Sequence, residues 1–171
     1  MGYTGGTTKN PTYHNMGQHT ESFQVDYDPA KISYADLLKI FWSTNNSCRQ
    51  AYSRQYMSAI FYHNDEQKKL ALQTRDEKEK TSGKVHTEIA ALETFYLAED
   101  YHQKYYLQQS RELTREFKII YPNAADFVNS TAAARVNAFC GDDGSKELLE
   151  AEGKRYGLSE EGLELLRGMV R

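Results

Sequence analysis

The side chains of this sequence whose types could do chemistry are few and scattered. Two cysteines, Cys48 and Cys140, and five histidines occur in 171 residues. Two cysteines are too few for a disulfide scaffold, and neither stands at zinc-site spacing from a histidine. If they act, they act as thiols: nucleophilic when ionised, inert small apolar groups when buried. The 13 tyrosines are many for this length, and phenols are ready hydrogen-bond donors. Taken alone, Glu21 at the head of a strand-like stretch reads as a solvent-facing charge. Asp100, Tyr101 and His102 likewise read as helix capping and packing.

The formal charge of −3 gives no electrostatic reason for a polyanionic partner, because nucleic-acid binding rests on clustered Lys and Arg. No apolar run approaches the roughly 20 residues that span a bilayer. The opening Met1-Gly2-Tyr3-Thr4-Gly5-Gly6 has neither a basic nor an apolar leader region. The expectation is a soluble, cytoplasmic monomer with no nucleic-acid or membrane partner and no metal.

The elements that position these groups follow from periodicity. Residues 1–20, rich in Gly, Thr, Asn and Pro, read as a loop. From Glu21 to Asp28 the apolar residues alternate, which predicts a strand ended by Asp28-Pro29. Ser33 and Asp36 form a capping-box-like start for a helix to about Trp42, and Tyr56 to Tyr62 suits a central strand. Asn64 and Gln67 cap a second helix that Ser82-Gly83 ends; Val85 to Ile89 reads as a strand and Ala98 to Gln108 as a helix. Strands alternating with helices to about residue 108 give an α+β sandwich. From Ser110 onward only helical patterns occur, near 111–118, 124–138, 145–156 and 160–170. The domains are therefore 1–108 and a helical C-terminal extension, 109–171.

Gly2-Tyr3-Thr4-Gly5-Gly6, Asn10-Pro11-Thr12-Tyr13, His19-Thr20-Glu21, Tyr27-Asp28-Pro29, Gln55-Tyr56, Ser58-Ala59-Ile60 and Ala98-Glu99-Asp100-Tyr101-His102-Gln103 stand collinearly in this sequence. In order and spacing they resemble the methionine sulfoxide reductase A family. The resemblance implies a ferredoxin-like sandwich and reduction of methionine S-sulfoxide, free or in proteins, as oxidative-stress repair. It implies no bound cofactor and an external reductant, thioredoxin or another dithiol. The family's nucleophile lies in a Gly-Cys-Phe-Trp motif that the resemblance places before residue 1. The expectation is thus of a chain missing the sandwich's first strand and helix, with a catalytic Cys or selenocysteine upstream.

By the resemblance, Glu21 matches the proton donor, Tyr13 and Tyr56 match phenols that contact the sulfoxide oxygen, and Tyr96, Asp100, Tyr101 and His102 match a helix bordering the site. Thiolate attack on sulfur drives negative charge onto the oxygen, which explains why phenols and an acid are wanted there. One site carboxylate of the family falls on Ala51. Cys140, in Phe139-Cys140-Gly141, is similar to the family's recycling segment, and Cys48 lies in a polar loop expected to face the site; either is a candidate resolving thiol. The alternatives are a noncatalytic module that binds oxidised-Met protein, or a truncated product without a role of its own.

Overall fold

The computed structural model describes residues 1–170. The chain forms two compact units, Met1–Ala98 and Glu99–Arg171.

The first unit is mixed α+β. Its opening strand β1 (Gly2–Thr4) lies between β2 (Thr20–Ser22) and β5 (Tyr96–Leu97), antiparallel to both. A separate parallel pair joins β3 (Ala59–Tyr62) to β4 (Glu88–Ala91). Helix α1 (Tyr34–Thr44) begins where Ser33 accepts the Asp36 N–H at 3.1 Å. Helix α2 (Asp65–Ser82) begins where Asn64 accepts the Gln67 N–H and Gln67 Oε1 takes the His63 N–H, both at 2.9 Å. The first cap satisfies one otherwise orphaned donor and the second exchange satisfies two. Gly83, at φ +84°, ends α2 in a conformation that an L side chain resists. The helices bury Leu38, Trp42 and Ala71 against Ile60 and Val85, and the Trp42 indole donates to Thr74 Oγ1 at 2.9 Å.

Three expectations need correction, two in this unit and one at the start of the second. The strand read over Glu21–Asp28 stops at Ser22, because its partner β1 pairs only Gly2 to Thr4. Phe23 and Val25 consequently stand 72% and 51% exposed. The strand of residues 56–62 is not central: β3 pairs on one side only, and the single mixed sheet is two sheets. The helix read over Ala98–Gln108 is two single-turn 3₁₀ helices, Asp100–His102 and Leu107–Gln109, separated by Lys104 at φ +48°, a left-handed kink no α-helix accommodates.

The second unit contains helices α3 (Arg111–Ile120), α4 (Ala124–Asn129), α5 (Thr131–Cys140), α6 (Lys146–Glu152) and α7 (Glu160–Met169). Each starts on a Ser or Asn side chain that accepts a first-turn N–H: Ser110, Asn123, Ser130, Ser145 and Ser159. Ser130 also explains why 124–138 is two helices. Its extended backbone ends α4 while its hydroxyl caps α5. Leu107, Leu113, Phe117, Val136, Phe139 and Leu166 close one core. Among the described residues no helix is long and apolar enough to cross a membrane.

Phe117 is fully buried in that core. Phe117→Ala is expected to destabilise the protein by about 3–5 kcal/mol in urea unfolding, from lost transfer energy plus the cavity left behind.

Candidate functional site

The site grows out of the three-stranded sheet of the first unit. Residues directly opposite in antiparallel strands point to the same face, and Tyr3 of β1 stands opposite Glu21 on one side and Tyr96 on the other. Glu21, Tyr3 and Tyr96 therefore form one row. Tyr3 is buried with Met16 and Ala98, and Tyr13 and Tyr96 pack against this cluster. Tyr13 arrives from a tight turn closed by the Asn15 N–H on Thr12 O at 2.9 Å.

Buried His19 fixes the loop between β1 and β2. Its Nδ1 accepts the Gly6 N–H at 3.2 Å, which leaves the proton on Nε2 for Thr8 O at 2.8 Å. Gly5, at φ +79°, has Phe61 where a Cβ would need to be, 2.7 Å from its ring. A side chain there is excluded twice over, by backbone conformation and by space.

Tyr56 comes from a single 3₁₀ turn, Arg54–Tyr56. Arg54 holds that turn against both sheets. Its guanidinium donates to Gln18 O at 2.7 Å, to Gly5 O at 3.0 Å and to both Glu88 oxygens at 3.0 and 3.3 Å, while its carbonyl accepts Thr20 Oγ1 at 3.1 Å. As a result Tyr56 Oη stands 3.3 Å from Tyr13 Oη, across 43 positions of sequence. Gln55 Nε2 donates to Glu21 Oε1 at 2.6 Å and to Tyr56 Oη at 3.0 Å. The two phenols and the carboxyl thus meet in one hydrogen-bonded group.

The Tyr56 phenol is pushed up to about 12, first by its hydrogen bond with Tyr13, then by desolvation and by the Tyr13, Glu21 and Tyr52 charges. It keeps its proton throughout the physiological range. Beside the group runs a cavity of about 560 Å³, walled by Glu21, Phe23, Tyr34, Phe41, Ile60 and Phe61 among others. Burial, then the neighbouring Tyr27, pushes the Tyr34 phenol up, and its oxygen lies buried in that wall.

Asp100, Tyr101 and His102 lie on the first 3₁₀ turn of the second unit, where the Tyr101 and His102 rings sit 4.2 Å apart and Gln108 Nε2 donates to Asp100 O at 2.8 Å. The Cys48 thiol lies 3.5 Å from Ser82 O, and the residue packs on the Leu38–Trp42 core. Cys140 ends α5, and burial pushes its thiol up to about 11. Among the described residues no cluster of three or more His, Cys, Asp or Glu is arranged to hold a metal. Sequence reasoning missed Arg54 and Gln55 as site-builders; the only available signal was that Gln55 directly precedes Tyr56.

Tyr13→Phe removes the largest cause of the Tyr56 shift. The Tyr56 midpoint is expected to fall from about 12 toward the ordinary value of about 10. A spectral titration of Tyr13→Phe against Tyr13→Phe/Tyr56→Phe isolates that one phenol.

Residues 1–135 match the family model described as peptide methionine sulfoxide reductase. The chain is 38% identical over 162 residues to a peptide methionine sulfoxide reductase of Drosophila melanogaster, covering 93% of this chain and 65% of that protein. It is 39% identical over 132 residues to peptide methionine sulfoxide reductase MsrA of Methanosarcina acetivorans, covering 69% of this chain and 70% of the relative. To the MsrA of Mycobacterium leprae it is 45% identical over 113 residues, 61% of this chain and 64% of that one. The chain thus spans about two thirds of the length of these relatives. With the match reaching from β1 through the phenol-bearing turn and into α5, the chain belongs to the peptide methionine sulfoxide reductase A family.

Proposed function

We propose that this chain binds methionine S-sulfoxide at Tyr13, Glu21 and Tyr56 and supplies the donors for its reduction, as part of a peptide-methionine (S)-S-oxide reductase. The observation that carries the reading is the 3.3 Å meeting of the two phenols, with Glu21 tied to them through Gln55. A thiolate attacks the sulfoxide sulfur, and electrons of the S–O bond move onto oxygen. The phenols donate to that oxygen as its charge grows, and the Glu21 carboxyl delivers the proton. Oxygen leaves on the attacking sulfur as a sulfenic acid and methionine departs. A dithiol of the thioredoxin type then reduces the sulfenic acid, releasing water.

We assign the attacking thiol to neither cysteine of this sequence. Cys48 packs on the Leu38–Trp42 core, and Cys140, at about 11, holds little thiolate at neutral pH. A Gly-Cys-Phe-Trp segment from outside residues 1–171, seated in the 560 Å³ cavity beside Glu21, supplies the nucleophile in this reading. It also supplies the strand that joins the two sheets into a ferredoxin-like sandwich. Tyr96, in one row with Glu21 and Tyr3, borders the substrate, and Cys140 acts as a resolving thiol only after its burial is relieved. A second reading, a noncatalytic module for oxidised-Met protein, is favoured by the absence of any thiol from the hydrogen-bonded group itself.

The two readings separate on turnover. The chain as it stands is expected to show no thioredoxin-dependent reduction of a methionine S-sulfoxide ester above a protein-free control, and addition of the thiol segment is expected to produce it. In the active protein Glu21→Gln should slow reduction by ~10²–10⁴-fold. Turnover by the chain alone that disappears in Cys48→Ser would overturn the nucleophile assignment; an active protein indifferent to Glu21→Gln would overturn the proton donor.

A further inference from the structure

We infer that Gln55 is the positioning residue of the site, its single amide setting both the Glu21 carboxyl and the Tyr56 phenol around the sulfoxide oxygen; the inference rests on the sulfoxide-binding reading above. The amide NH₂ has two hydrogens that diverge, and each has an acceptor: Glu21 Oε1 at 2.6 Å and Tyr56 Oη at 3.0 Å. The orientation is dictated chemically. With Glu21 ionised, the amide turned over would set its own oxygen against a carboxylate oxygen at 2.6 Å, with no hydrogen between them.

Two consequences follow for the donors. Oε1 of Glu21 is occupied as an acceptor, so the proton that the carboxyl gives away resides on Oε2. At Tyr56 the amide fills one lone pair, which directs the phenol's own hydrogen to the far side, where Tyr13 Oη stands 3.3 Å away. Accepting a hydrogen bond also polarises an O–H and makes it a better donor. Gln55 therefore makes Tyr56 give rather than receive. A ligand oxygen that displaces the long bond to Tyr13 takes a hydrogen already turned away from Gln55.

The amide is itself held. Gln55 is the middle residue of the Arg54–Tyr56 turn, and Arg54 anchors that turn to Gly5, Gln18 and Glu88. Its side-chain length is part of the function. Asn, one methylene shorter, reaches one acceptor but not both, and Met fills the space with no donor.

The test uses the full chain and measures binding, which needs no nucleophile. The probes are N-acetyl-methionine S-sulfoxide amide and the corresponding thioether, titrated by nuclear magnetic resonance. Gln55→Met and Gln55→Asn are each expected to lower sulfoxide affinity on the order of tenfold, the net worth of one or two hydrogen bonds, and to leave thioether binding unchanged. Gln55→Glu is expected to bind the sulfoxide poorly while both carboxyls are ionised and to recover in part as the pH falls and the close carboxyl pair takes up a shared proton, restoring one donor. A general loosening of the fold would weaken both probes and show no such recovery. Gln55→Met with the parent's sulfoxide affinity would overturn the inference. If the parent itself fails to prefer sulfoxide over thioether, the sulfoxide reading fails, and Gln55 is then judged on the unliganded protein. There the ring-carbon resonances of Tyr13 and Tyr56, assigned with Tyr→Phe variants, should both move in Gln55→Met. Unmoved resonances would defeat the positioning role whatever the ligand.

Discussion

The site depends on one guanidinium. Arg54 joins the loop after β1, the loop before β2 and the edge of β4 through Gly5 O, Gln18 O and the Glu88 carboxylate. The pair with Glu88 is about one-third exposed on each side, and an ion pair in that setting contributes modestly on its own. The backbone carbonyls change the weight of the interaction. The planar fork of Arg satisfies two carbonyls and a carboxylate at once, as a Lys point charge would not. No backbone ladder connects the two sheets of the first unit, and this side chain stands in for one. The turn that follows it carries Gln55 and Tyr56, so the distances that define the site are set by where Arg54 is tied.

The same separation of sheets produces the cavity. A strand with partners on one side leaves a row of N–H and C=O groups on the other, and β2 and β3 are both of this kind among the described residues. Between them lie Phe23, Phe41, Ile60 and Phe61. Apolar walls flanked by strand edges suit an extended segment, which could satisfy the backbone groups and cover the side chains together. Exposed Phe23 and Val25 mark where the alternation of the sequence has outrun its partner strand.

Much of this was legible in the residues. Capping pairs at Ser33–Asp36 and Asn64–Gln67 gave both helix starts of the first unit, because a cap is a local interaction written in adjacent residue types. Gly83 marked a helix end for the same reason. What failed was non-local. The alternation from Glu21 to Asp28 is a real strand pattern, yet a ladder needs a second strand of equal length, and β1 offers three residues. Within Ala98–Gln108 the composition suits a helix, and nothing in it marks Lys104 as left-handed. The convergence of Tyr13, Glu21 and Tyr56 came from resemblance, since no local pattern could relate positions 43 apart. Gln55 stood in a segment of the resemblance but carried no role there, because its two acceptors, Glu21 and Tyr56, are brought together only by the fold.

The exposure of the phenols bears on where catalytic power can come from. Tyr56 is 46% exposed and its neighbour Tyr52 is 81% exposed. Hydrogen bonds offered to a developing oxyanion are worth far more once water is excluded, because solvent competes for the same acceptor and screens its charge. On the sulfoxide-binding reading proposed above, Gln55 and Arg54 hold the donors in place, and a sulfoxide oxygen replaces the long 3.3 Å bond between the phenols. Alignment gives selectivity for an oxygen acceptor. Acceleration requires in addition that something cover the open side, and the apolar cavity adjoining Glu21 is the surface on which a cover gains most by burial. Binding and catalysis therefore make different demands on this protein. On the proposed reading the first needs only the hydrogen-bonded group of Tyr13, Glu21, Gln55 and Tyr56, whereas the second needs the cavity filled, so that a segment bringing a thiol would also dry the site in which it acts.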